Sequence, residues 1–315
     1  MDLSIIIVSY NTRQLTLECL RSVFEQTSNI DFEVIVIDNA SSDDSANAIA
    51  EHFPQAQLIA SKENHGFARA NNIAAKNAGG DYLLLLNPDT VILKNAIVKL
   101  LEFARMHPEA GIYGGRTIFP DGIVNPTCCF GEITAWSMFC AAFGFSKILK
   151  NTALFNSESY GSWAYDTIKH VDIITGCFFM VKRDLWKQLN GFSTLFFMFG
   201  EEVDFCMRAK KLGYRPLFTP DAEIIHYGGA SEPVKEDRLT KVLCARSTII
   251  REHWPKYKIW WGLAMLLTRV RVNYMALAVL ARFNSMKFDS QAKMWNTMWK
   301  RRNEWLKGWG TVRRL

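Results

Sequence analysis

The run Asp81-Tyr-Leu-Leu-Leu-Leu-Asn-Pro-Asp-Thr90 decides the fold. Four consecutive leucines without polar alternation read as a strand buried on both faces, the pattern of a parallel sheet covered by helices. The run then switches to Asn87-Pro88-Asp89, which ends the strand and leaves polar side chains at its carboxyl edge. Ahead of it, Gly79-Gly80 stops a helix predicted over Gly66–Ala78.

Reading outward, Leu3–Ser9 is a β-branched run predicted as the first strand. Thr12–Gln26 follows with Leu15, Cys19, Leu20, Val23 and Phe24 at helical spacing. Glu33–Ile37 is a second strand, and Ser41-Ser42-Asp43-Asp44 offers N-cap chemistry to the next helix. Gln57–Ala60 is a third strand, and Asn95–Met106 a helix after the fourth. The order β-α-β-α-β-α-β implies an α/β fold, a mostly parallel central sheet with right-handed crossovers. Ligands of such sheets bind at the carboxyl ends of the strands. Here those ends are Ser9-Tyr10-Asn11, Asp38-Asn39 and Asn87-Pro88-Asp89. Neither GxGxxG nor GxxxxGK[ST] occurs, so a bound nucleotide is not held in a glycine cradle.

Further on, Ile133–Ser146 is uncharged and reads as a core or interfacial helix. Val171–Val181 is strand-like. Phe192–Phe199 leads into Gly200-Glu201-Glu202-Val203-Asp204 and a helix to Leu212, closed by Gly213. Glu223–His226 reads as a strand end before Gly228-Gly229.

Charge divides the chain. Residues 1–240 carry a net −7 and residues 241–315 carry +13, with seven of the ten tryptophans in the second part. The expected organisation is therefore a body of 1–240, with halves of about 1–118 and 119–240, and a helical, basic, Trp-rich extension of 241–315. From Met294, the residues Met294, Trp295, Met298, Trp299, Trp305, Leu306 and Trp309 fall within about a 140° arc of one helix, the pattern of an interfacial membrane helix or of a packed one. Ile259–Ala281 is the best spanning candidate. Its Arg269 and Arg271 cost roughly 5–7 kcal/mol against about 3–5 returned by its nine Leu, Ile and Val residues, so spanning is not expected. The seven cysteines form no CxxC pair and read as reduced, buried thiols of a cytosolic protein. Leu3–Val8 is too short for a signal-peptide core.

Single residues admit two readings each. Asp89 sits where a carboxylate meets a ligand, yet Asn-Pro-Asp-Thr is also turn chemistry. Glu201, Glu202 and Asp204 suit general-base work, yet acids also complement a helix N-terminus. Asp204 and Arg208 have the i,i+4 spacing of a structural pair. His226 follows an apolar strand and precedes two glycines, and a lone His is more often an ordinary satisfied side chain. Asn39 and Asp43 contact a ligand or cap the next helix.

Together these segments resemble family 2 glycosyltransferases of the GT-A fold, close to the rhamnosyltransferase-like group. The matching stretches are Ser4-Ile-Ile-Ile-Val-Ser-Tyr-Asn11, Val34-Ile-Val-Ile-Asp-Asn-Ala-Ser-Ser-Asp43, Asn64-His-Gly-Phe-Ala-Arg-Ala-Asn-Asn72, Leu83-Leu-Leu-Leu-Asn-Pro-Asp-Thr90, Gly176-Cys-Phe-Phe-Met-Val-Lys-Arg183, Phe199-Gly-Glu-Glu-Val-Asp-Phe-Cys-Met-Arg208 and His226-Tyr-Gly-Gly229. The resemblance implies a nucleotide-diphospho-sugar transferase fold on which Asp89 and His226 hold Mg²⁺ or Mn²⁺ against the donor diphosphate. It implies that Glu202, or else Glu201, is the base that deprotonates the acceptor. Ser9, Tyr10, Asn11, Asp38, Asn39, Arg69, Asn72 and Asn87 would bind the donor, with Asp38 reading the pyrimidine. Asn87 stands where the family's DxD motif has its first Asp, and Glu202 where the family has Asp.

The implied activity is inverting, metal-dependent transfer from a pyrimidine nucleotide-sugar, such as dTDP-rhamnose, to a lipid-linked glycan in cell-surface polysaccharide assembly. The expected place is the cytoplasmic side of the inner membrane, with the extension in peripheral contact and no nucleic-acid partner. The alternatives are a sugar-phosphate nucleotidyltransferase, whose glycine-rich signature is absent, and a non-catalytic sugar-nucleotide-binding membrane adaptor.

Overall fold

A computed structural model describes residues 1–229 and 234–312. The elements run β1 (Leu3–Ser9), α1 (Arg13–Gln26), β2 (Phe32–Asp38), α2 (Ser45–His52), β3 (Gln57–Ala60), α3 (Gly66–Ala75), β4 (Tyr82–Leu86), β5 (Thr90–Ile92), α4 (Ala96–Met106), β6 (Ile112–Ile118) and β7 (Cys129–Phe130). They continue with α5 (Ala135–Phe143), α6 (Phe145–Ile148), β8 (Lys169–His170), β9 (Ile173–Ile174), β10 (Phe178–Lys182), α7 (Arg183–Gln188), α8 (Glu201–Lys211) and β11 (Leu217–His226). The chain ends in α9 (Lys235–His253), α10 (Lys256–Phe283), α11 (Ser285–Lys300), α12 (Arg302–Trp305) and α13 (Trp309–Val312). It divides into two compact units. One comprises Met1–Phe130, Ala164–Phe197 and Glu201–Ser231, the other Gly131–Trp163, Met198–Gly200 and Glu232–Leu315. The second unit takes in the uncharged segment after residue 130 together with the helices from α9 onward.

The first unit is built on a mixed sheet in the order β3-β2-β1-β4-β10-β6-β11-β5, with β8 on β11. The four strands β3, β2, β1 and β4 are parallel, as their apolar runs predict. Leu3, Ile5 and Ile7 of β1 join Val34 and Val36 of β2, Leu84 and Leu86 of β4, and residues of α1, α2 and α4 in one core. Ile6, Ile35 and Leu85 are just as buried, and α3 packs against β1 and β2. Both faces are covered, which is why these strands do not alternate. Val171–Val181 is not one strand. It breaks around Gly176 into β9, paired with β7, and β10, which enters the sheet antiparallel between β4 and β6. Gly115 of β6 allows an irregularity in β11 between Thr219 and Glu223. A Cβ there would lie 2.1 Å from the Ala222 carbonyl. Ahead of α2, Asp43 accepts hydrogen bonds from the Arg13 N–H and from Ser45, while Asp44 is left-handed and makes no cap bond.

One segment of the first unit is held by two helices. The Phe67 N–H donates to the Phe197 carbonyl at 2.8 Å. The Asn72 amide closes a two-way clasp on Phe192, donating to its carbonyl at 2.8 Å and accepting from its N–H at 2.9 Å. From α8, Arg208 donates to the Leu189 and Gly191 carbonyls at 2.7 and 2.9 Å. Phe192 then seats among Phe179, Trp186 and Phe205.

In the second unit, α10 is one unbroken helix packed against α5, α9 and α11. The two arginines on different sides of it each meet their own partners. Arg269 faces Glu158 and Arg246, whereas Arg271 lies over the Tyr274 and Trp299 rings. Among the described residues α10 is the helix long and apolar enough to cross a membrane, by length and composition only. The arc expected over Met294–Trp309 is not on one helix. The chain breaks at Arg301 and again at Gly308, whose φ is 76°. Its members do not present an exposed aromatic face. Met298, Trp305 and Trp309 are buried. The Trp305 indole donates to the Met298 carbonyl, and the Trp309 N–H donates to Thr248 Oγ1 of α9. Arg301 ties the same turn to Glu304 and to Asp237 of α9. All seven cysteines are free and buried.

Two substitutions test these holds. Asn72→Ala strands the backbone N–H and carbonyl of Phe192, and urea unfolding is expected to show a loss of roughly 2–4 kcal/mol. Trp305→Ala is expected to cost about 3–5 kcal/mol in the same measurement, as a buried indole leaves a cavity.

Candidate functional site

The site begins with strand register. The last residues of β11 pair antiparallel with β5, with Ile224 opposite Ile92, Ile225 opposite Val91 and His226 opposite Thr90. The Tyr227 N–H extends the ladder to the Asp89 carbonyl at 3.0 Å. This brings His226 Nε2 to 3.4 Å from Asp89 Oδ1 and 3.5 Å from Asn87 Nδ2. Asn87 is fixed by its own N–H, which donates to the Cys177 carbonyl, and its carbonyl accepts from Thr90 Oγ1. The three sequence candidates of this edge, Asn87, Asp89 and His226, therefore converge.

Burial alone raises the Asp89 pKa, but the hydrogen bond and charge of His226 outweigh it and hold the carboxyl below the usual range. Burial likewise works to lower the pKa of His226. The Cys177 side chain and Asp89 overcome burial and raise the pKa to about 11, so the ring holds a proton that a bound metal ion would have to displace. Cys177 is a site residue that spacing did not reveal. It lies in one of the matching stretches but far along the chain from His226. A carboxylate and an imidazole suit Mg²⁺ or Mn²⁺ as a partial donor set. Among the described residues no cluster of three His, Cys, Asp or Glu side chains is placed to hold a metal. The set therefore fits an ion whose remaining positions belong to water and substrate phosphate, the usual arrangement for Mg²⁺.

At the end of β2, Asp38 is buried and accepts from the Ser41 N–H through Oδ2 at 3.0 Å, while Oδ1 has no hydrogen-bond partner. A buried carboxylate oxygen left open at a strand end is an acceptor in want of a donor. Tyr10 is half-buried and follows Ser9, which pairs with Asp38 across the β1–β2 ladder. Arg69 is exposed on α3 and forms no ion pair among the described residues. These three remain available to a ligand.

Four other expected ligand contacts are occupied by structure. Ser9 Oγ is buried and bonded to Thr16. Asn39 holds the loop before α3, accepting from the His65 N–H at 2.9 Å and donating to Asn64 Oδ1 at 2.9 Å. Asn11, left-handed at φ 51°, receives its bonds from Ser42. Asn72 is the clasp on Phe192 described above. Each is a short polar side chain with backbone partners close by, and such side chains commonly brace loops.

Glu201, Glu202 and Asp204 all lie in the first turn of α8, after Gly200 at φ 93°. Asp204 is paired with Arg208 at 2.8 Å, the i,i+4 pair the spacing predicts. It aligns the guanidinium that holds Leu189 and Gly191. Glu201 is 3% exposed and Glu202 9%, so Glu202 is the more accessible of the two base candidates.

Residues 4–128 match the model of glycosyl transferase family 2. The chain is 27% identical over 229 residues to the O-antigen biosynthesis protein RfbC of Myxococcus xanthus, covering 72% of this chain and 17% of that protein. It is 26% identical over 212 residues to the N-acetylglucosaminyl-diphospho-decaprenol L-rhamnosyltransferase of Mycobacterium tuberculosis, covering 62% of this chain and 66% of that one. The chain thus spans less than two thirds of either relative. Among solved structures, a mannosyltransferase of Pyrobaculum calidifontis in complex with GDP-Man and Mn²⁺ superposes with a TM-score of 0.57 at 18% identity, over 94% of this chain and 84% of that one. The fold is that of the GT-A glycosyltransferases, and residues 4–128 are similar to glycosyl transferase family 2.

Proposed function

We propose that the protein is an inverting glycosyltransferase of surface-polysaccharide assembly. It takes a sugar, L-rhamnose by the likeness to the mycobacterial relative, from a pyrimidine nucleotide donor such as dTDP-rhamnose to a lipid-linked saccharide. The observation that carries the reading is the convergence of Asp89, His226 and Asn87 at the carboxyl edge of the family 2 sheet. Asp38 supplies the open oxygen that accepts the pyrimidine ring N–H. Arg69 offers an exposed cation to the donor. Glu202 accepts the proton of the acceptor hydroxyl as that hydroxyl attacks the anomeric carbon, and the diphosphate leaves from the opposite face. Mg²⁺ or Mn²⁺ held by Asp89 and His226 would neutralise charge on the leaving diphosphate. The work is placed at the cytoplasmic face of the membrane. The +13 of the extension and the exposed Tyr257, Trp260, Phe283 and Met286 support peripheral attachment there, at roughly 1 kcal/mol per basic residue near an anionic leaflet.

The test is donor hydrolysis and transfer over a panel of UDP-, dTDP- and GDP-sugars with Mn²⁺ or EDTA. Glu202→Gln is expected to lower kcat by about 10²–10⁴-fold with the donor KM little changed. Asp38→Ala is expected to raise the donor KM by about 10–100-fold with a smaller change in kcat, the worth of a charge-assisted hydrogen bond. Near-wild-type transfer by both Glu202→Gln and Asp89→Ala would sink the reading.

A further inference from the structure

The second unit holds a cavity of about 160 Å³ walled by α5, the segment before residue 160, α9 and α10. Its lining is polar and cationic, including Ser146, Asn156, Ser157, Arg246 and Arg269, with Glu158 as the only carboxylate. Glu158 is already committed, accepting from Ser137 Oγ at 2.8 Å and from Arg246. The Arg269 guanidinium feels the charge of Glu158 but makes no hydrogen bond or close ion pair among the described residues. Lys147, bonded to Asn273 one turn further along α10, adds a third cation. Burial, and then the neighbouring Arg246, lower the Arg269 pKa to about 10, and Lys147 is lowered by burial and by Arg269. Two guanidinium groups thus face one carboxylate, with Lys147 close enough to Arg269 to feel its charge. An enclosed excess of positive charge is costly unless an anion answers it, and a guanidinium fork matches phosphate oxygens. At roughly 30 Å³ per water the cavity holds about five, the room of a phosphate group.

Apolar surface adjoins it. Phe155 is both a cavity wall and a member of a ring cluster with Trp136, Phe139, Phe143 and Phe145. Around the cluster stand Ile148 at 77% exposure and Leu154 at 62%, with Trp136, Phe143 and Leu149 also exposed. Contiguous exposed apolar surface of this kind marks a binding site. We infer that the cavity takes the phosphate or diphosphate of a single-chain lipid whose hydrocarbon lies on the Trp136–Phe155 cluster. This rests on the reading that the protein works on a lipid-linked saccharide.

The experiment uses the full chain in EDTA, with calorimetric titration of farnesyl diphosphate, inorganic pyrophosphate and farnesol. Farnesyl diphosphate is expected to bind at least tenfold more tightly than either of the others. Arg269→Gln is expected to weaken it about 10–100-fold, one charge-assisted bidentate contact. Ser146→Phe, which fills the cavity without removing a charge, should do the same and covers the case in which Arg269→Gln does not fold. Ile148→Ser should weaken farnesyl diphosphate and leave pyrophosphate unchanged. Equal binding of farnesyl diphosphate by wild type and both cavity variants overturns the inference. So does equal affinity for pyrophosphate, which makes it a free-anion site, or for farnesol, which makes it a greasy surface only. Donor hydrolysis is measured alongside. If it is absent from wild type while Arg269-dependent lipid binding persists, the transferase reading fails and the cavity assignment stands. If it is present and unchanged in Arg269→Gln while lipid binding does not depend on Arg269, the reverse holds.

Discussion

The antiparallel pairing of β11 with β5 is the constraint on which the candidate site depends. It is a short ladder, but its register is exact: with His226 opposite Thr90, the imidazole falls beside Asp89. A slip of one residue would turn His226 to the other face of the sheet. The register is held by burial of Ile224 and Ile92 in the main core and by Gly115, which lets the Ala222 backbone approach β6. The electrostatic character of the edge follows from that placement, because Asp89 and His226 each shift the other's proton affinity.

The acidic end of α8 depends on a second hold. Asn72 and the Phe67 N–H reach from α3, and Arg208 reaches from α8, to the same stretch that leads from α7. Asp204 orients Arg208, so this acid of the cluster serves positioning. Several residues of the matching stretches turn out to be braces for this frame, among them Asn39, Asn72 and Asp204. A motif is preserved by its loops as much as by its ligand contacts, since a brace and a ligand residue are polar for different reasons but look alike in sequence.

The basic extension shows why net charge is a coarse guide. Part of its cationic excess is internal: Arg246, Arg269 and Arg301 meet acids or a cavity within the second unit. Its tryptophans are divided too, with Trp305 and Trp309 in the unit's own core and Trp260 exposed. The exposed aromatic surface lies instead on α10 and on the segment around Trp136.

The parallel half of the sheet was legible because burial on both faces leaves a mark that neighbours along the chain carry alone: unbroken apolar runs ending in polar residues. The same held for α8, whose caps and i,i+4 pair are local. The antiparallel entry of β10, the pairing of β5 with β11 and the breaks at Gly176, Arg301 and Gly308 were not legible. They are set by partners distant in the chain, and a helical arc drawn through Met294–Trp309 assumes a continuity that the tertiary packing interrupts. By itself, then, the sequence determined the alternation of parallel strands and helices in the nucleotide-side half and named Asn87, Asp89 and His226 as candidates. Only the tertiary structure decided that those three meet, that Asp38 keeps an open oxygen, and that Asn39 and Asn72 do not. Whether a polar side chain is free or bonded depends on backbone groups brought to it from elsewhere in the chain.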